Sequence, residues 1–277
     1  MESAPEKCIL CGDREKVLLI ERDSWKVYRC INCGLGFLDP RPSQEEISQL
    51  YQKNYFEERY DEGLDIGSQR FKKRLSGEKH RIKFVSSVKG SGRLLDIGCG
   101  YGYFLYASRM RGYEVTGLEF SDWAGTYAAQ KLKLPVRTGS ILDIDLPENH
   151  FDIITMWHSL EHTQDPRSVL LKAKKWLKKN GILVIDVPNY EGTDARYLKG
   201  DWDGWSLPYH FWHFNYGSMK MLLDKHHFKV VKYKNYHSDV IKKKLSPIPL
   251  LKPFARLISK MYSGSSFAII AVPKNSE

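Results

Sequence analysis

Residues 94–104 read LLDIGCGYGYF. Two leucines, an acid and an isoleucine lead into glycine at every second position, 98, 100 and 102. A short apolar run closed by glycines is a strand turning into a helix, and so bare a turn lets a ligand lie against the backbone. It is not a dinucleotide fingerprint. Counted from Gly98, G-x-G-x-x-G needs its third glycine at 103, and Tyr103 fills that slot. The pattern is D-x-G-x-G-x-G, led by Asp96. A carboxylate there would repel a pyrophosphate and suits a cationic group such as an ammonium. Glu119 closes the next apolar run, 23 residues after Asp96, where an acid can accept two ribose hydroxyls.

Outward from this stretch the pattern alternates. Apolar strands are expected at 93–98, 113–120, 135–140, 151–157 and 181–188, with helices over about 102–111, 122–132 and 166–179. Asp165-Pro166 reads as cap and first residue of the last of these. Strands apolar nearly throughout, alternating with amphipathic helices, imply a parallel sheet covered on both faces. A helix near 218–225 and strands at 228–236 and 266–273 complete the series. There are no internal repeats or low-complexity tracts.

A ligand with an amino acid at one end and a nucleoside at the other satisfies both acids, and S-adenosylmethionine is one. LLDIGCGYGYFL, VTGLEFS, HFDIITMWHSLEHTQDP and GILVIDVPN resemble the class I S-adenosylmethionine-dependent methyltransferases over about 94–274. The likeness is to the branch with an N-terminal four-cysteine zinc module, a proline-rich exit such as FLDPRPS (37–43) and a segment such as LPYHFWHFNYGSMKMLLDKHHF (207–228). It implies a Rossmann-like α/β fold with a seven-stranded sheet, its last strand antiparallel. It implies that Asp96, Gly98, Gly100 and Gly102 hold the methionine moiety, that Glu119 holds the ribose, and that Phe120 packs beside the adenine. Ser140 and Ile141 stand where the family often has Asp and Ala; Ser140 replaces the usual acid for the adenine amine, and Asp143 could compensate. Trp157 and His158 should face the methyl donor. Many members of that branch act on sugars, lipids, quinones or other small metabolites.

Cys8-Ile-Leu-Cys11 and Cys30-Ile-Asn-Cys33 are twin C-x-x-C pairs separated by 18 residues, each followed by glycine. That spacing fits a zinc ribbon, and four thiolates leave the metal no open position, so the Zn2+ would be structural. Cys99 reads as a small residue of the glycine turn. The expected organisation is a zinc ribbon over 1–42, a helical linker or cap over 43–92, and a methyltransferase domain over 93–277 with lid insertions at about 190–217 and 240–264. Within the cap, Ser43 to Glu46 fits a capping box with Ile47 and Leu50 on the apolar face, 54–67 reads as irregular, and a basic helix is expected over about 68–88.

The 277 residues carry a formal charge of +10. A basic balance suits nucleic acid, an anionic membrane surface or acidic substrates, and does not choose among them. The first residues lack the apolar segment of a signal peptide, and no apolar run nears the ~18 residues a membrane helix needs. A cytoplasmic protein is expected.

Methyl transfer to a hydroxyl or an acidic carbon needs a proton taken away, and histidine is the usual base near neutral pH. His210 is the leading candidate, followed by His213, Glu161 and His162. Glu161-His162 also reads as a hydrogen-bonded pair fixing its loop. The aromatics Trp202, Trp205, Tyr209, Phe211, Trp212 and Phe214 read as a cover over an acceptor pocket. Residues 241–264 mix lysines with Leu, Ile and Phe, a pattern that packs on the domain or touches a membrane surface or lipid-linked acceptor. The function expected is methylation of oxygen or carbon on a small-molecule, sugar or lipid-linked acceptor. The alternatives are an RNA base methyltransferase and a non-catalytic cofactor-binding interaction protein. No basic-aromatic RNA strip is present, and no NPPY-type tetrapeptide.

Overall fold

The structure is a computed structural model that describes residues 3, 5–43, 46–47 and 64–274. Among the described residues two sheets form. The smaller is antiparallel and built from β1 (Lys16–Arg22), β2 (Trp25–Cys30), β3 (Gly36–Leu38) and, far along the chain, β9 (Trp212–His213). Lys16 pairs with Cys30 and Arg22 with Trp25 across a two-residue turn in which Asp23 has φ 54°. Gly36 of β3 pairs with His213 of β9, and Phe37 with Trp212.

The larger sheet begins at β4 (Arg93–Ile97) and β5 (Glu114–Glu119). It continues through β6 (Val136–Thr138), β7 (Phe151–Trp157), β8 (Leu177–Pro188), β10 (Phe228–His237) and β11 (Ser263–Pro273). Their order is β10-β11-β8-β7-β4-β5-β6. The sheet is mixed, with its last strands antiparallel. β4 runs parallel to both β5 and β7, and β5 parallel to β6. The chain lays strands outward from β4 to β6 and then returns to the other side of β4. The reversal falls between β4 and β7, where open α/β sheets bind their ligands. Leu94, Leu95, Ile153, Ile154 and Leu183 are fully shielded from solvent, as strands covered on both faces must be.

Helices α1 (Gln69–Gly77) and α2 (Lys79–Ser86) precede β4. A single helix was expected over 68–88; the break comes at Glu78, straight after Ser76-Gly77, because glycine gives a helix little support. The Ser68 side chain caps α1 by accepting from the Phe71 N–H at 3.1 Å. Buried Glu78 is gripped by Arg74 at 2.5 Å and Arg81 at 3.1 Å. The other helices are α3 (Tyr103–Arg109), α4 (Asp122–Gln130), α5 (Pro166–Trp176), α6 (Thr193–Leu198), α7 (Tyr216–Lys225), α8 (Asp239–Leu245) and α9 (Ala255–Ser259). α5 starts as its sequence dictates: Pro166 leads it and the Asp165 carboxylate accepts from the Arg167 N–H at 2.9 Å. The capping box at Ser43–Glu46 and the irregular stretch at 54–67 lie almost wholly outside the described residues.

By internal packing the chain divides into two units. One comprises Met1–Ser43, Leu160–Gln164 and Asp186–Ile269; the other comprises Gln44–Ser159, Asp165–Ile185 and Ile270–Glu277.

Candidate active site

The carboxyl ends of β4, β5 and β7 gather the first set of groups. Asp96 is 3% exposed and its Oδ1 accepts from the Thr155 hydroxyl at 2.6 Å, the two residues facing each other across the β4–β7 register. Burial pushes its carboxyl up to about 7, against the pull of Thr155 and Arg81. A cation beside it would restore the charged form. Glu119, also buried, ends β5. Its Oε2 accepts from the Gly100 N–H at 2.6 Å and its Oε1 from the Ser121 N–H at 2.9 Å. Burial raises its pKa while these backbone donors oppose the rise. The N–H groups of Gly100, Ser121 and Phe120 hold the carboxylate, which keeps acceptor capacity for a ligand hydroxyl.

The glycines of the loop differ in what they do. A Cβ on Gly98 would lie 2.5 Å from the Ser159 Cβ, whose own hydroxyl donates to the Ile97 carbonyl at 2.7 Å. A Cβ on Gly100 would meet nothing within 4 Å, although its φ is 54°. Gly98 is therefore demanded by the protein's own packing, whereas Gly100 borders open space where a ligand can approach. Gly102 opens α3.

Phe120, at 36% exposure, stands open just past β5. Ser140 and Ile141 are half-buried after β6; Ser140 accepts from the Leu142 N–H at 3.2 Å, and Asp143 is exposed. Trp157 is buried: its ring meets Phe104 edge to face at 5.3 Å and the Arg81 guanidinium sits 5.1 Å from its centre. Its indole N–H has no hydrogen-bond partner among the described residues. His158 follows with φ 53° and is half-buried. Sequence reasoning did not single out Thr155, Ser159 or Arg81. Their hydroxyls and guanidinium have no motif spacing of their own and gain meaning only from strand register and packing.

The second set begins three residues past β7. Glu161 and His162 lie in a short 3-10 turn (Leu160–His162), and Glu161 is fully buried. The backbone carbonyl of Glu161 accepts from the Phe211 N–H at 2.9 Å, which draws the 209–213 segment alongside. One ligand-type atom from each of Glu161, His162 and His210 lies within 4.8 Å of the others. The two imidazoles meet edge to face with centres 4.5 Å apart. His213 belongs elsewhere. It is 2% exposed in β9, and burial drives its pKa down to about 3, so it stays neutral and packs against Trp205 at 5.3 Å. The expected aromatic cover is an inward-packed cluster: Trp202, Trp205, Phe211, Trp212 and Phe214 are all buried. Trp212 donates its indole N–H to the Thr163 carbonyl at 2.8 Å, and Arg41 stacks 4.0 Å from its ring centre.

The third set is the four cysteines. Cys8 and Cys33 sulfurs are 3.5 Å apart, Cys11 and Cys30 sulfurs 3.4 Å, and all four lie within 4.8 Å of one another. Sulfurs bound to one tetrahedral zinc at ~2.3 Å stand about 3.8 Å apart, so these four fit the ion. The Leu10 N–H points at the Cys8 sulfur at 3.4 Å, and a hydrogen bond from Cys33 holds the Cys8 thiol down at about 5. Gly12 and Gly34, with φ 80° and 73°, turn the chain after each pair.

A family model described as a methyltransferase domain matches residues 51–233, well over half of the chain. The chain belongs to that methyltransferase family. Among curated relatives it is similar to a ubiquinone biosynthesis O-methyltransferase of Photobacterium profundum, 31% identical over 39% of this chain and 50% of the relative. It is 35% identical to the enzyme of that name from Pseudomonas putida, over 35% of this chain and 44% of the relative. The chain thus spans about half the length of the curated relatives it matches. Among solved structures it resembles a SAM-dependent methyltransferase from Archaeoglobus fulgidus, with TM-score 0.55 and 21% identity over 72% of this chain and 94% of that one. It also resembles an S-adenosylmethionine-dependent methyltransferase from Mesorhizobium loti, with TM-score 0.54 and 17% identity over 72% and 99%. These structures establish the fold: a methyltransferase sheet, carried with a small antiparallel sheet and a four-cysteine cluster.

Proposed function

We propose that this methyltransferase moves a methyl group from S-adenosylmethionine to a hydroxyl or an acidic carbon of a small-molecule, sugar or lipid-linked acceptor. The observation that carries the reading is Glu119. Its carboxylate ends β5, is pinned by the Gly100, Ser121 and Phe120 N–H groups, and stands where an acid can accept from ribose hydroxyls. Asp96 and the loop of Gly98, Gly100 and Gly102 take the methionine end, Asp96 answering its ammonium. Phe120 offers its exposed face to the adenine, with Ser140, Ile141 and Asp143 at the adenine edge and Trp157 beside the donor. When bound, the donor supplies a methyl group already activated by a sulfonium. The protein's part is to align the acceptor, exclude water and accept a proton.

Glu161, His162 and His210 are the groups for that proton; His213, held neutral by burial, is set aside. Cys8, Cys11, Cys30 and Cys33 hold a structural zinc. The named activity of the curated relatives supports oxygen as the methylated atom. The test is calorimetry of the zinc-loaded chain with adenosylmethionine and adenosylhomocysteine, followed by labelled donor against a metabolite extract and phenolic acceptors. Absence of binding by both nucleosides would end the reading.

One surface favours a lipid-linked acceptor over a freely soluble one. In the 241–264 segment Leu250 is 85% exposed, Met261 81%, Leu257 65% and Phe254 55%, among Lys242, Lys243, Lys244, Lys252, Arg256 and Lys260. Large apolar side chains set among cations suit the surface of an anionic bilayer. No helix among the described residues is long and apolar enough to cross a membrane. Sedimentation with anionic and with neutral vesicles, for the wild type and for a Leu250→Ser, Phe254→Ser, Met261→Ser variant, tests it. Binding to anionic vesicles that the triple variant loses supports the surface; equal sedimentation of both proteins removes it.

A further inference from the structure

The histidine corner carries more than a base. His162 Nδ1 lies 3.0 Å from the Tyr209 carbonyl oxygen, and His210 Nδ1 lies 2.9 Å from the Gly204 carbonyl oxygen. A carbonyl oxygen only accepts, so in each ring Nδ1 bears the hydrogen, and in the neutral ring Nε2 bears the lone pair. Both imidazoles are thus held in one tautomer by backbone, the arrangement that orients metal-ligating histidines in general. The third member, Glu161, is a fully buried acid. One ligand-type atom from each of the three falls within 4.8 Å of the others, a span a single ion can bridge.

We propose that Glu161, His162 and His210 form a second metal site, for a divalent first-row transition ion. The donor set differs in kind from the four thiolates. Two imidazoles and one carboxylate suit Mn2+, Fe2+, Co2+ or Zn2+, and three protein ligands leave coordination positions open. An acceptor hydroxyl occupying one of them becomes more acidic and releases its proton to water more readily, the service an isolated imidazole performs less strongly. The proposal rests on the reading of this cluster as the place where the acceptor is deprotonated, and it changes the three residues from proton acceptors to ligands.

Mn2+ is the probe, because it favours nitrogen and oxygen ligands and leaves a zinc-filled thiolate site alone. The full chain, loaded with zinc at its cysteines, is titrated with Mn2+ and followed by electron paramagnetic resonance. One bound Mn2+ per chain with nitrogen-14 couplings from imidazole is expected. His162→Ala, His210→Ala and Glu161→Gln should each weaken it by about tenfold or more. No bound Mn2+, or bound Mn2+ without nitrogen coupling, overturns the site, and that readout needs no variant to fold. Methyl transfer is scored separately. If Glu161→Gln loses turnover while the wild type binds no ion, the deprotonation reading stands and the metal falls. If the ion binds as expected while Glu161→Gln keeps full turnover, the metal stands and the deprotonation reading falls.

Discussion

The glycine loop and the histidine corner hold their polar groups by opposite means. At the loop, one seven-residue run, Asp96 to Gly102, and the end of the next strand supply nearly everything, and backbone N–H groups pin Glu119 from both sides. At the corner, Glu161 and His162 meet His210 from 48 residues on, and the contact exists because Phe211 donates to the Glu161 carbonyl. β3 adds a second support there: Leu38 donates to the Phe211 carbonyl at 2.9 Å, and Gly36 and Phe37 pair with β9. The loop is made by local chain geometry, whereas the corner is assembled and inherits the fragility of its supports.

The sharpest way to break that contrast is to remove the zinc proposed for the four clustered cysteines. Binding of metal by four thiolates contributes on the order of 10 kcal/mol to small zinc folds. A Cys11→Ser, Cys30→Ser variant should lose its zinc, loosen β1–β3 and with them the 209–213 segment, and lose methyl transfer. Donor binding by the loop should survive. Atomic spectroscopy, hydrogen exchange and calorimetry on one sample report all three, and loss of donor binding together with zinc would erase the distinction.

Next in size is Glu119→Ala. Hydrogen bonds to a charged group contribute about 1.5–3 kcal/mol each, so loss of a pair of ribose contacts should weaken adenosylhomocysteine binding ~100-fold or more. Exposed Asp143→Ala should change it far less.

A smaller effect follows from the burial of Asp96. Its carboxyl titrates near 7, above its unfolded range, so the folded chain takes up a proton that the unfolded chain does not. That preference destabilises the fold progressively as pH rises from about 4 to 7. Donor binding runs the other way. An ammonium needs the ionised form, so affinity should rise about tenfold per pH unit up to about 7 and then level off. Asp96→Asn should flatten the calorimetric profile.

The smallest effect separates two glycines. Gly100→Ala should fold with only about 1–2 kcal/mol of left-handed backbone strain, because no atom stands in the way, yet hinder the donor. Gly98→Ala adds a clash with Ser159 and should melt well below it. Thermal melts of the two variants decide the order.

Much of this was legible in the sequence, for a physical reason. The strands at 93–97, 114–119 and 151–157 carry mostly apolar residues because both faces are covered, and a glycine turn announces itself by composition. The cysteine pairs carry their spacing openly. What the sequence concealed depends on register and on distant pairing. Thr155 matters because β7 lies beside β4 in one alignment, and β9 is two residues that become a strand only when β3 is present. The helix break at Glu78 was hidden as well, since the ion pairs that bury the acid come from both sides of the break. His213 looked like a base by position, and its burial makes it packing.

The pairing of β3 with β9 has a consequence beyond stability. Thiolates are attacked by oxidants and by soft heavy metals such as mercury and cadmium, whereas the carboxylates of the glycine loop are not. A poison of that kind, acting on the four clustered cysteines and not on buried Cys99, would spare the protein's hold on its nucleoside while silencing its turnover. Under such stress the chain would persist as a sink for the methyl donor.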